Sequence, residues 1–135
     1  MFLLVRNGKN VKKKNVLIIE DDQSMRDLIV LAVQQLGYMV TACHSVELAL
    51  VGFKPANYDL VITDLFMEGM GGIEGIQLMR KRKPDVPIIA ISAGYEGMPR
   101  ESALLAARKV GANEALAKPF TMEQLSEIVS GFLET

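Results

Sequence analysis

Cysteine and histidine are nearly absent from this chain of 135 residues, which contains one of each, Cys43 and His44. A single cysteine excludes an intramolecular disulfide and a zinc site built from several cysteines. A single histidine excludes a metal site built from several imidazoles. Because Cys43 ends an apolar segment typical of a short strand, we expect it to be a buried structural thiol.

The sequence also lacks a long apolar run and a strong net charge. No run approaches the roughly 20 apolar residues that a membrane-spanning helix requires. The net charge of -1 gives no electrostatic argument for direct DNA binding. At the N-terminus a short apolar segment precedes the basic residues, which reverses the order found in a secretory signal peptide. We therefore expect a cytoplasmic domain over residues 15–135, without membrane contact, preceded by a flexible basic extension over residues 1–14.

The chain is built instead from a regular alternation of two kinds of segment. Five short apolar segments indicate strands, and three of them are nearly continuous in Val, Ile and Leu, as in strands covered on both faces. They span residues 15–20, 38–43, 59–64, 87–92 and 113–118. Amphipathic segments typical of helices follow at residues 24–37, 45–54, 72–83, 99–111 and 121–133. This alternation predicts the α/β class: a single doubly wound (βα)5 domain with a five-stranded parallel sheet and helices on both faces.

The third helical segment carries the clearest end signal. Residues 80–83 are all basic, which suits the negative end of a helix dipole, and Pro84 follows them. This amphipathic segment carries the large apolar residues Ile73, Ile76, Leu78 and Met79.

Charged and polar side chains stand where four of the predicted strands end. Glu20 and Asp21 follow the first strand, and Asp64, Ser92 and Lys118 end the third, fourth and fifth. In a doubly wound sheet ligands bind beyond the carboxyl ends of the strands, so we expect these five side chains to meet. An acidic cluster without imidazole or thiolate favours a hard cation, Mg²⁺ or Mn²⁺.

The same cluster suits phosphoryl transfer. Asp64 stands alone at its strand end and is the better nucleophile, since a carboxylate can accept a phosphoryl group as an acyl phosphate. Lys118 and the cation would neutralise the added charge, and Ser92 could donate a hydrogen bond to a phosphoryl oxygen. Asp22 has two interpretations: it caps the helix that follows, or it supports metal-bound water.

These residues lie in motifs that resemble the receiver domains of bacterial two-component response regulators. The motifs are LIIEDD followed by SMR, DLVITDLFMEGMGG, IIAISA and LAKPF, in the family's order over about residues 15–132. The resemblance implies a flavodoxin-like fold. It also implies a signalling phosphoacceptor that catalyses its own phosphorylation and dephosphorylation, rather than an enzyme. Asp64 would then be the phosphoacceptor, and Glu20, Asp21, Asp64 and the backbone carbonyl of Phe66 would hold the metal.

The resemblance also implies roles for positions around the acceptor. Ser92 would be the switch hydroxyl and Lys118 the phosphate-contacting lysine. The supporting positions are Asp22, Ala93 and Pro119, and the Lys118–Pro119 bond would be cis. The implied donor is a histidine kinase or a histidine phosphotransfer protein, and the signal would pass to an unknown downstream protein.

The sequence departs from the family pattern in two loops and one strand. The usual Met-Pro after the acceptor is Met67–Glu68 here, and the later Asp-Gly is Gly71–Gly72, which predicts a looser loop. The usual aromatic residue of the fifth strand is Ala115, so the usual relay from the switch hydroxyl to an aromatic ring is not expected. We favour a surface position for Tyr95 over a substitute role in that relay. The long, glycine-rich loop over residues 93–102 predicts a mobile signalling surface.

Rival functions make different demands on the same residues. A haloacid-dehalogenase-like phosphatase needs a second acid two residues after the nucleophile, where this chain has Phe66. A flavodoxin-like FMN carrier needs a phosphate-binding loop after the first strand, where the acidic EDDQSM segment would repel phosphate. A receiver-like interaction module that acts without phosphorylation would be expected to lack some of the five site residues, but all five are present. A further hypothesis is that Phe66, being bulky and apolar, shields the acyl phosphate from water.

Overall fold

The structure, a computed structural model, describes residues 2–4, 10–54, 57–67 and 71–134, with side chains from Lys13 onward. Its strands are β1 (Phe2–Leu4), β2 (Asn10–Lys12), β3 (Asn15–Ile19), β4 (Met39–Cys43), β5 (Leu60–Asp64), β6 (Ile88–Ser92) and β7 (Glu114–Ala117). Its helices are α1 (Gln23–Gln35), α2 (Val46–Gly52), α3 (Gly72–Arg82), α4 (Arg100–Lys109) and α5 (Met122–Leu133). The predicted strands and helices over residues 15–133 are therefore confirmed, with small shifts at their ends.

The central sheet contains five parallel strands in the order β4–β3–β5–β6–β7. Every residue of β5 and of β6 is buried, which accounts for their nearly continuous apolar sequences. The chain leaves β3 toward β4 on one side and then crosses to β5 on the other. This reversal of strand order opens a crevice beyond the carboxyl ends of β3 and β5, where doubly wound folds bind their ligands.

Helices cover both faces of the sheet, as the alternating pattern predicts. On one face α2, α3 and α4 bury residues such as Val46, Ile76 and Ala107 against the strands. On the other face α1 and α5 bury residues such as Ile29 and Val129. The two apolar layers hold the sheet rigid, so the side chains at the strand ends are fixed relative to one another.

The apolar residues of α3 differ in exposure: Ile73 is 37% exposed, whereas Ile76 and Met79 are buried. The reason is the close approach of α3 to its neighbours through glycine. A Cβ atom on Gly75 would lie 2.7 Å from the Cγ1 atom of Val46 in α2. Because glycines form the most closely packed side of α3 near its start, Ile73 is turned toward the solvent.

A second, two-stranded sheet precedes the main one. In it β1 pairs antiparallel with β2, with Phe2 opposite Lys12. This pairing was not expected from a flexible extension. Residues 1 and 5–9 lie outside the described residues, and the boundary between an extension and a domain at residues 14 and 15 stays a prediction. No helix within the described ranges is long and apolar enough to cross a membrane.

Candidate functional site

Three carboxylates meet at the carboxyl end of the sheet. The β3–β5 register pairs Ile19 with Thr63, so Glu20 and Asp64 end their strands side by side. Glu20 is 1% exposed and Asp64 is 5% exposed, while Asp21 faces the solvent. Their nearest carboxylate oxygens all lie within 4.8 Å of one another. The structure therefore brings together the acidic residues that the strand-end pattern singles out.

Lys118 supplies the positive charge of this cluster. Its Nζ atom donates hydrogen bonds of 2.7 Å to Glu20 Oε1 and of 2.7 Å to Asp64 Oδ2. Burial by itself lowers the pKa of Lys118, but its hydrogen bonds to Asp64 and Glu20 hold that pKa above the usual value. Burial, together with the nearby charge of Asp64, raises the pKa of Glu20 to about 7 despite the opposing effect of Lys118.

The charge balance of the cluster fits a divalent cation. When all are ionised, the three carboxylates and the Lys118 ammonium leave two negative charges uncompensated. The three side chains offer only carboxylate oxygens as ligand atoms, the ligand type that Mg²⁺ and Mn²⁺ prefer. The residues present thus fit the cation that the family resemblance implies.

The loop after β5 positions Asp64 through its backbone. The N–H group of Phe66 donates a 3.1 Å hydrogen bond to Asp64 Oδ1, so each carboxylate oxygen has a partner. A Cβ atom on Gly72 would lie only 2.1 Å from the Asp64 carbonyl oxygen and 2.7 Å from Leu65 Cα. Only glycine therefore allows α3 to begin against the end of β5. Residues 68–70 lie outside the described residues, so the predicted looseness of that loop stays a prediction.

Ser92 follows Ile91, which pairs with Asp64 in the sheet, and it is fully buried at the end of β6. Its Oγ atom accepts a 2.9 Å hydrogen bond from the Gly94 N–H group, and its carbonyl accepts one of 3.1 Å from Lys118 N–H. A Cβ atom on Gly94 would lie 2.9 Å from Cε2 of Phe66 and 3.1 Å from Ser92 Oγ. The Phe66 ring therefore covers Gly94 beside the Ser92 hydroxyl. Ala93 is exposed at the start of this turn.

The N-cap residue of α1, Asp22, and Arg26 within α1 lie against the acidic end of β3. The Asp22 carboxylate accepts a 2.8 Å hydrogen bond from Met25 N–H, which confirms the helix-cap interpretation. Arg26 donates a 2.9 Å hydrogen bond to the carbonyl oxygen of Glu20. Sequence reasoning could not assign this role to Arg26, because its partner is a backbone carbonyl that no side-chain pattern reveals. The Lys118–Pro119 bond on the other side of the site is cis, as the resemblance implies.

Tyr95 is not the surface residue that we favoured from the sequence. It is 6% exposed and belongs to the same buried cluster as Ala115, and the short turn Ala93–Tyr95 that carries it lies against β7. The same buried cluster contains Ala103, Ala107 and Ala115. Cys43 is only half-buried, and burial raises the pKa of its thiol, consistent with a structural residue.

Comparisons with known proteins support the reading of these motifs. The family model of the response regulator receiver domain matches residues 16–130. The uncharacterized transcriptional regulatory protein YkoG of Bacillus subtilis is 30% identical over 115 residues, which are 85% of this chain and 49% of that protein. Another Bacillus subtilis protein of this kind, YrkP, is 34% identical over 110 residues, which are 82% of this chain and 45% of that protein. The chain thus spans half or less of these curated relatives.

Solved structures match over nearly the whole fold. The chemotaxis protein CheY4 of Vibrio cholerae has a TM-score of 0.77 and 27% identity, over 90% of this chain and 100% of that one. The response regulator protein TrrA of Thermotoga maritima, solved in complex with Mg²⁺-BeF, has a TM-score of 0.74 and 33% identity, over 89% of this chain and 99% of that one.

Proposed function

Because this chain belongs to the response regulator receiver domain family, we propose that Asp64 is the residue that accepts a phosphoryl group in two-component signalling. The observation that carries the proposal is the double hydrogen bond of Lys118, at 2.7 Å, to the buried carboxylates of Asp64 and Glu20. This arrangement places an acceptor carboxylate, cation ligands and a charge-neutralising ammonium group in one crevice. A receiver domain is a signalling phosphoacceptor. That Asp64 is the residue which accepts the phosphoryl group is our inference.

The proposed reaction needs only a positioned nucleophile and neutralised charge. A carboxylate oxygen of Asp64 attacks the phosphorus of a phosphohistidine. The new O–P bond forms as the P–N bond breaks, and the imidazole nitrogen keeps the electron pair. Hydrolysis reverses the modification, since water attacks the same phosphorus, releases inorganic phosphate and restores the carboxylate. Residues of this chain form the site both for phosphoryl transfer and for hydrolysis. We therefore assign the chain self-catalysed phosphorylation and dephosphorylation rather than the role of an enzyme.

Ser92 and Lys118 are proposed to hold the transferred group. The Ser92 hydroxyl accepts a hydrogen bond from Gly94 N–H, so its own proton stays free to be donated to a phosphoryl oxygen. Lys118 already contacts Asp64 Oδ2 and would extend its ammonium protons to the added oxygens. Ala93 and Pro119 flank these two residues in the sequence and are assigned a supporting role.

The proposed ligands of the cation are the carboxylates of Glu20, Asp21 and Asp64 and the carbonyl oxygen of Phe66. A bound Mg²⁺ or Mn²⁺ supplies positive charge against the phosphoryl oxygens. Asp22 supports this set through its backbone N–H, which donates a 3.2 Å hydrogen bond to Glu20 Oε2 and so orients that side chain.

The partners follow from the proposed chemistry. We assign the donor role to a histidine kinase or a histidine phosphotransfer protein, and the output to a downstream protein that distinguishes the two phosphorylation states. With a net charge of -1 the chain offers no electrostatic basis for direct DNA contact. We place this activity in the cytoplasm, in a domain over residues 15–135 that follows a basic extension.

Acetyl phosphate and MgCl₂ provide the direct test. We expect intact-mass spectrometry to show one added phosphoryl group on the wild-type chain, and none on Asp64→Ala or when EDTA is present. A wild-type chain that gains no phosphoryl group would favour the alternative, an interaction module that acts without phosphorylation. Equal phosphorylation of Asp64→Ala would place the acceptor elsewhere.

A further inference from the structure

An open groove of about 520 Å³ lies beside the acidic cluster, where the loop after β5 meets the start of α3. We call it the α3 groove, and its lining residues are Asp21, Leu65, Phe66, Met67, Gly71 and Ile73. Two of its large apolar side chains face the solvent, since Phe66 is 64% exposed and Ile73 is 37% exposed. Among these described lining residues only Asp21 carries a charge, and that charge is negative.

The acceptor itself is recessed behind this surface. Asp64 is 5% exposed and Glu20 is 1% exposed, whereas Asp21 and Phe66 at the mouth of the crevice face the solvent. A phosphohistidine imidazole must enter the crevice to bring its phosphorus within reach of a carboxylate oxygen. The protein surface around that histidine must then rest on the rim, and the rim on the α3 side is apolar.

We propose that the α3 groove binds an apolar side chain that lies next to the phosphohistidine on the surface of the protein donor. This inference rests on the proposed function, because it assumes that a protein delivers the phosphoryl group to Asp64. The groove is continuous with the acceptor through Asp21 and Phe66, so one donor surface reaches both. None of its described lining residues carries a positive charge that could attract an acidic donor surface, so apolar burial is the source of affinity on this side of the rim. A small phosphoryl donor enters the crevice without covering the groove.

This difference between donors gives a discriminating experiment. Ile73→Ser removes the apolar surface of the groove at a residue outside the acidic cluster. The matched control is Val51→Ser, which also replaces an exposed β-branched side chain. Val51 is 89% exposed near the end of α2, and α2 runs from the carboxyl edge of the sheet toward the opposite edge.

Each protein is phosphorylated in parallel by two probes, phosphoramidate and a phosphorylated histidine phosphotransfer domain. The phosphotransfer domain is the one that transfers fastest to the wild-type chain in a panel from the same genome. We expect Ile73→Ser to lower the second-order rate constant with the protein donor roughly tenfold, as is typical for loss of one apolar anchor. The rate with phosphoramidate should stay at the wild-type value, and Val51→Ser should behave as wild type with both probes.

The outcomes separate this inference from the proposed function. Equal protein-donor rates for Ile73→Ser and Val51→Ser would overturn the inference, as would a panel in which no protein phosphorylates a chain that phosphoramidate modifies. If Ile73→Ser instead abolishes self-association in sedimentation velocity, a second copy of the chain occupies the groove and the inference is also overturned. If phosphoramidate fails to modify the wild-type chain, the proposed function fails.

Discussion

A methyl group added at Gly72 should disrupt the junction that positions Asp64, the proposed acceptor. The Cβ atom of Gly72→Ala would lie 2.1 Å from the Asp64 carbonyl oxygen and 2.7 Å from Leu65 Cα. Both obstacles are backbone atoms, so no side-chain rotation can relieve the clash. The substitution must therefore push the first turn of α3 away from the end of β5, or displace the strand end that carries Asp64.

The expected cost combines three effects. Overpacking costs about 1–3 kcal/mol, loss of a backbone hydrogen bond adds about 1 kcal/mol, and the better helix propensity of alanine returns at most about 1 kcal/mol. The hydrogen bond at risk joins Gly72 N–H to the Leu65 carbonyl oxygen at 3.1 Å. Because the obstacles are backbone atoms, we expect a value near the upper end, a loss of about 3 kcal/mol in the free energy of unfolding.

Gly131→Ala is the control for this experiment. A Cβ atom on Gly131, inside α5, would meet no other atom within 4 Å, so alanine there should leave stability unchanged or raise it by up to about 1 kcal/mol. Urea unfolding followed by far-ultraviolet circular dichroism measures both variants. Folded Gly72→Ala should also react more slowly with acetyl phosphate, because Asp64 is displaced. A Gly72→Ala protein that unfolds at the wild-type urea concentration and reacts at the wild-type rate would show that this junction tolerates a Cβ atom at position 72.

Three further predictions concern the charges and the cover of the site. Since burial raises the pKa of Glu20 from 4.5 to about 7 in the metal-free chain, this group stabilises the fold fully below about pH 4.5 and loses that contribution as the pH rises through about 7. Magnesium affinity, which requires the carboxylate, should accordingly rise between about pH 5 and about pH 8 in calorimetric titrations; a flat profile, like that expected for Glu20→Gln, would contradict this. Lys118→Ala should lower the free energy of unfolding at alkaline pH by about 3 kcal/mol, because two buried carboxylates lose their partner. The loss should be smaller below pH 7, where protonation of Glu20 removes one of the two ion pairs, and equal losses in urea titrations at both pH values would contradict this expectation. Phe66→Asn should lose phosphate faster than wild type when release of inorganic phosphate is followed, and an unchanged or slower rate would rule out shielding.

The acidic cluster was accessible to sequence reasoning because parallel topology alone brings it together. Once the strands are recognised, their carboxyl ends must share one edge of the sheet, so Glu20, Asp64 and Lys118 are all expected at that edge. No side-chain detail is needed for that conclusion. The helix cap at Asp22 was equally accessible, because capping depends on a few consecutive residues.

The features that sequence reasoning missed depend on how close two elements approach each other. The exposure of Ile73 follows from the tight packing of α3 at Gly75, and apolar periodicity does not reveal that distance. Tyr95 is buried in a cluster whose other members, including Ala115, come from distant parts of the sequence. A linear pattern records which side chains are apolar, whereas the depth of a loop residue depends on the volume that its distant neighbours leave open.

Mapping the modified residue tests the central claim most directly. After reaction with acetyl phosphate and MgCl₂, borohydride reduction converts an aspartyl phosphate to homoserine, and peptide mass spectrometry locates it. We expect homoserine at position 64 in the wild-type chain and at no position in Asp64→Ala. Homoserine at Asp21 or Asp22 instead, or a phosphoryl group that resists borohydride and remains on a serine, would contradict it.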